Sequence, residues 1–128
     1  MLSLCARESV ILAEDFHAMV QWYKTVLQFK VTKRFEDDYH YCNLENETGI
    51  RIGIADAREM GCTPGDRKNN TVLLQFQVSN VQRFFEYLQE QGGDIAFGPS
   101  FDEKDRFWYG GFRDLEGNPF WVVDENCP

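Results

Sequence analysis

The chain has 128 residues, 43% of them hydrophobic and 15% aromatic, enough for a single domain or two half-domains sharing one core. Thirteen Lys and Arg against 21 Asp and Glu leave a net charge of −8, which excludes a nucleic-acid binder that must displace counterions with a basic surface. No apolar run reaches the roughly 20 residues of a membrane span, and no basic-then-apolar leader opens the chain; a cytoplasmic protein without membrane contact is expected.

A strand is predicted over residues 8–13. Asp15 then offers an N-cap, and Phe16, Met19, Val20, Tyr23 and Leu27 recur at helical spacing, with His17, Gln21 and Lys24 on the other side. The helix is placed near 15–27. Extended segments follow at 29–34, 39–44 and 49–55, separated by Glu36-Asp37-Asp38 and Glu45-Asn46-Glu47. Residues 57–70, with Gly61, Pro64, Gly65 and Asn69-Asn70, read as a linker. The pattern then repeats. A strand over 71–78 alternates Val72, Leu74 and Phe76 against Gln75 and Gln77. Asn80 caps a second helix near 80–91, with Val81, Phe84, Phe85 and Leu88 on one face and Gly92-Gly93 as the stop. Strands at 94–97, 106–113 and 119–124 complete it, broken at Gly98-Pro99-Ser100 and over 115–118.

Each half is therefore strand, helix, strand, strand, strand. Modules of this size, about 6–56 and 71–126, cannot each bury a sheet face alone, so one α+β domain over 1–128 is expected, built from two tandem βαβββ modules. The four cysteines, Cys5, Cys42, Cys62 and Cys127, lack the close pairing of zinc ligands and are expected as free thiols.

Three runs carry a family resemblance: AEDFHAMVQWYKTVLQFKV around the first helix, EYLQEQGGDIAFGP after the second, and FRDLEGNPFWVVD at the end. In this order they resemble the vicinal oxygen chelate superfamily, which includes glyoxalase I, extradiol dioxygenases, fosfomycin-resistance enzymes and bleomycin-binding proteins. The resemblance implies a curved mixed sheet with a cleft and helices on its convex face. It also implies a homodimer, since the family's clefts are commonly completed across a twofold.

In the family's metal enzymes, each module places one ligand on its first strand and one on its last, His or Gln and then Glu. By the family's spacing from helix cap and turn glycine, the matching positions here are Glu8, Leu73, Gly53 and Trp121. Leucine and glycine offer no donor and indole N–H only donates, so no metal and no cofactor is expected. His17 reads as a solvated helix residue. His40, on a strand, has two readings: a partner of Glu8, as base or weak metal pair, or a histidine bonded to a neighbour. No nucleophile elbow or phosphate loop is present; Gly110-Gly111 reads as a strand kink, and no catalytic residues are assigned.

What remains is an apolar cleft, with the candidate ligand-binding set Glu8, His40, Leu73, Gln75, Trp108 and Trp121. The sequence thus predicts a metal-free small-molecule binder of the bleomycin-resistance type, taking an aromatic or cationic organic ligand on Trp121 with Glu8 as charge partner. The alternative is a lyase, isomerase or other enzyme of the same superfamily, using Glu8 as base or a rebuilt metal site.

Overall fold

The computed structural model describes residues 2–128, and the chain divides into two compact units between Pro64 and Gly65. The first contains β1 (Ser9–Ala13), α1 (Phe16–Thr25), β2 (Lys30–Phe35), β3 (Tyr41–Glu45) and β4 (Arg51–Asp56). The second contains a 3₁₀ turn at Arg67–Asn69, then β5 (Leu74–Gln77), α2 (Val81–Glu90), β6 (Asp94–Asp102), β7 (Phe107–Arg113) and β8 (Pro119–Val123). Strand order is β1-β4-β3-β2 in one sheet and β5-β8-β7-β6 in the other. In each unit the last three strands form an antiparallel meander that short turns can close. The first strand pairs in parallel with the last, which requires the helix to carry the chain across. The fold is the predicted α+β repeat.

Local chemistry repeats with the topology. Asp15 accepts from the Ala18 N–H at 3.1 Å and Asn80 from the Arg83 N–H at 3.0 Å, so both helices begin on a side-chain cap. Asn46 accepts from the Ile50 N–H at 2.7 Å, and Asp114 from the Asn118 N–H at 3.0 Å. In these two turns Gly49 (φ +92°) and Gly117 (φ +94°) hold the left-handed position that a side chain would strain. The caps are 65 residues apart and the turn glycines 68, so Glu8 matches Leu73 and Gly53 matches Trp121.

The exit from α1 departs from the pattern. Gln28 sits at φ +61°, where glycine is favoured, and the Phe29 N–H closes the helix end on the Tyr23 carbonyl at 3.0 Å. Gln28→Gly is expected to stabilise the protein by about 1 kcal/mol, raising a thermal midpoint by roughly 3–5 °C. An unchanged or lowered midpoint would contradict strain at this residue.

In the first unit Phe16, Met19, Val20 and Tyr23 of α1 are buried, as are Cys42, Leu44, Ile52 and Ile54 on the sheet. In the second, Phe85 and Leu88 of α2 are buried with Phe112, Phe120 and Val122. Phe112 and Phe120 stack at 5.1 Å with 13° between planes, and Phe76 stacks on Phe120 at 5.2 Å. A methyl group on Gly110 would lie 2.5 Å from Phe85 Cζ, so this glycine admits the helix side chain rather than kinking the strand.

Several boundaries differ from the sequence reading: α1 ends at Thr25, and β3 begins only at Tyr41, so His40 precedes the strand predicted to hold it. β6 runs through Gly98-Pro99-Ser100 instead of stopping there, because its register slips between Phe97 and Ser100 and an edge strand tolerates proline. β5 is shorter than predicted, and Val72 lies outside it, 89% exposed. The supposed linker is partly ordered: Arg67 is buried and forms a salt bridge with Glu116 in the β7–β8 turn.

Candidate functional site

Each sheet packs its own helix on one face, and strand alternation decides which residues occupy the other. In the first unit two cross-strand rows lie on the helix-free face: Lys33, Asn43, Gly53, Val10, and Phe35, Tyr41, Ala55, Leu12. Glu8, just before β1, reaches across Gly53. It accepts a hydrogen bond from the Tyr41 hydroxyl and two from Asn43 Nδ2, at 2.9 and 3.0 Å, one to each carboxylate oxygen. A Cβ on Gly53 would overlap both Tyr41 Oη and Glu8 Oε2. Burial, reinforced by the bond to Glu8, pushes the Tyr41 phenol up to about 12. The carboxylate predicted to meet a cation is thus already engaged within its own unit.

His40 lies elsewhere. It shares strand parity with buried Cys42, and its ring packs edge-on against Phe16 of α1 at 5.4 Å and against His17 at 5.8 Å. It therefore lies on the helix side, away from Glu8, and His17 is not isolated from it. Its Nδ1 is 2.6 Å from Glu59 Oε1, while its backbone N–H donates to Glu59 Oε2 at 2.7 Å. The bonded carboxylate raises the imidazole above its ordinary 6.5, and the same bonds, backbone first, hold Glu59 below its ordinary 4.5. This pair contributes most between those limits. Its contribution fades as pH rises through the raised His40 value or falls through the lowered Glu59 value. In an NMR titration Glu59→Gln is expected to bring His40 back toward 6.5; an unmoved midpoint would contradict the pairing.

In the second unit Trp121 projects from the helix-free face of β8, 49% exposed. It stands opposite Gln75 on β5 and Gly111 on β7. The space above Gly111 is taken by the Phe97 ring of β6, which a Cβ there would strike. Phe97 lies 6.4 Å from Tyr109, and Tyr109 lies 5.8 Å from Phe107. Leu73, just before β5 and half-buried, continues the alternation of Gln75. Trp108 does not join this group. The pairing of Tyr109 with Val123 and of Gly111 with Trp121 puts odd-numbered residues of β7 beside Trp121, which sends Trp108 to the opposite face. There its ring meets Phe101 at 5.3 Å and its backbone N–H donates to Asp124 Oδ2 at 3.0 Å.

The residues at the four metal-equivalent positions do not fit a metal. Glu8 is committed to Tyr41 and Asn43, the space at Gly53 is filled by Tyr41 and Glu8, and Leu73 and Trp121 supply no lone pair to a metal. Among the described residues no group of three or more His, Cys, Asp or Glu could hold a metal ion. The described cysteines are all free thiols, with burial raising the Cys42 thiol.

Sequence reasoning missed Tyr41 and Asn43 as partners of Glu8, although their two-residue spacing marks a shared strand face. It also passed over Phe97, hidden by the irregular register of β6, and Arg113, which lies on the same face as Trp121.

A family model described as the Glyoxalase/Bleomycin resistance protein/Dioxygenase superfamily matches residues 7–122. A search of curated proteins finds no match. Among solved structures, the chain is similar to a glyoxalase/bleomycin resistance protein/dioxygenase family enzyme from Burkholderia phytofirmans PsJN, with a TM-score of 0.70 and 18% identity over 91% of this chain and 95% of that one. It is similar to TioX from Micromonospora sp. ML1, with a TM-score of 0.71 and 19% identity over 93% and 98% of the two chains. A superfamily member from Sphaerobacter thermophilus DSM 20745 gives a TM-score of 0.75 and 17% identity over 97% and 100%. At such identities these likenesses speak to fold alone.

Proposed function

Because this chain belongs to the Glyoxalase/Bleomycin resistance protein/Dioxygenase superfamily, we propose that it is a metal-free binding protein of the bleomycin-resistance type whose ligand is an aromatic organic molecule. The observation that carries this reading is Trp121. At the place where the family's metal enzymes present a carboxylate, this chain presents an indole half open to solvent, with an amide (Gln75) on one side and the Phe97 ring lying over Gly111 on the other. Aromatic platforms of this kind recognise planar molecules by stacking and apolar burial, with few polar groups fixing orientation. Leu73 and Gln75 complete the proposed site.

Calorimetric titration with a neutral planar probe, naphthamide, tests the reading. Trp121→Ala is expected to weaken binding about tenfold or more, the equivalent of roughly 1.4 kcal/mol. Glu8→Gln is expected to leave the affinity for this neutral probe unchanged, because Tyr41 and Asn43 already hold the Glu8 carboxylate. Equal affinity of wild type and Trp121→Ala would overturn the assignment.

A further inference from the structure

We propose that the ligand carries an anionic oxygen group, most simply a carboxylate, and that Arg113 receives it; this deepens the aromatic-binding reading above and rests on it. Arg113 lies on the same helix-free face as Trp121, paired across β8 with Pro119, one step along the strand face from the Gly111–Trp121 pair. Its guanidinium is under-used. Its ion pair is with Asp94, at 3.4 Å from Nη1, and that carboxylate is 53% exposed. A long contact to a solvated partner holds a guanidinium weakly. Its Nε–H is buried and has no hydrogen-bond partner among the described residues. Buried donors in folded proteins are nearly always satisfied, so this guanidinium carries hydrogen-bonding capacity that its own unit does not use.

The chemistry of that acceptor follows from the donor. Arginine offers a planar fork of N–H groups that matches a carboxylate or phosphate in two parallel bonds, and the matching bonds are charge-assisted. The side chain is 24% exposed, and an incoming oxyanion would take the outer nitrogens by displacing Asp94. A cation is the poorer fit. It would meet Arg113 as a like charge, and the carboxylate predicted to receive it, Glu8, is engaged by Tyr41 and Asn43 in the other unit. An aromatic acid therefore satisfies both features of this face, its ring on Trp121 and its oxyanion on Arg113.

The experiment compares three probes of one ring system, naphthoate, naphthamide and naphthylmethylammonium, by calorimetry on wild type, Arg113→Gln, Arg113→Lys and Trp121→Ala, each first checked for an unchanged thermal midpoint. Wild type is expected to bind naphthoate about tenfold or more tightly than naphthamide, with the ammonium weakest. Arg113→Gln is expected to abolish that preference while retaining naphthamide binding, and Arg113→Lys to restore part of it, since lysine keeps the charge but not the fork. Trp121→Ala weakens all three. Binding of naphthamide that depends on Trp121 but shows no gain for naphthoate would overturn the anionic assignment and leave the aromatic one standing. A carboxylate preference that survives Arg113→Gln would also overturn it. Failure of all three probes to bind wild type would remove both.

Discussion

Arg67→Ala is expected to destabilise the protein by about 3–5 kcal/mol, the range for breaking one side of a buried ion pair. Arg67 is 8% exposed and its partner Glu116 13%, so removing the guanidinium leaves a carboxylate with little water to stabilise it. The loss is concentrated at one corner. Asp114, itself buried, accepts from the Glu116 and Asn118 N–H groups at 3.0 Å each and organises the β7–β8 turn that presents Glu116. Urea unfolding should show the shift as a lower midpoint with an unchanged slope. Replacing both partners, Arg67→Met with Glu116→Leu, is expected to recover most of the loss, because the Glu116 carboxylate is removed together with its ion-pair partner. A single-variant effect below about 1 kcal/mol would show that the pair behaves as a solvated surface bridge.

Gly53→Ala is the second large effect. A Cβ at this position overlaps the Tyr41 hydroxyl and the Glu8 carboxylate, so the network across the first sheet must open. The cost is expected to be about 1–3 kcal/mol, as for an overpacked site. The phenol supplies a second readout. With its bond to Glu8 lost, Tyr41 should titrate below about 12, burial still holding it above 10.0, seen as the alkaline absorbance step that disappears in Tyr41→Phe. The sign is that of a group with a raised folded value: its contribution is complete below pH 10 and is lost as pH rises between 10.0 and about 12. Wild-type stability should therefore decline more steeply than that of Gly53→Ala over this window. An alanine variant whose phenol still titrates near 12 would contradict the network.

The fold was legible because its signals are local and doubled. Asp15 and Asn80 cap helices whose apolar residues keep helical spacing, and Gly49 and Gly117 close turns of the same construction, so one half corroborates the other. Trp121 was legible for the same reason, since the repeat aligns it with Gly53 and strand alternation then fixes its face. Trp108 was not. Its face depends on the β7–β8 register, and the consecutive aromatics Phe107, Trp108 and Tyr109 carry no apolar–polar alternation to reveal it. His40 precedes β3, where a helix side chain and a glutamate nineteen residues later decide its surroundings. Such contacts are tertiary. The engagement of Glu8 by Tyr41 and Asn43 is likewise a three-strand arrangement, made possible by the missing side chain of Gly53.

The most direct test of the central claim uses the indole N–H resonances of Trp22, Trp108 and Trp121, the three tryptophans of the chain. They report separately on α1, on the helix side of β7 and on the helix-free face of β8. In a titration with naphthoate, the Trp121 indole signal is predicted to shift saturably while Trp22 and Trp108 hold their positions. A saturable shift of Trp108 without Trp121, or no shift of Trp121 at ligand concentrations that saturate binding by calorimetry, would contradict the assignment of this face as the binding site.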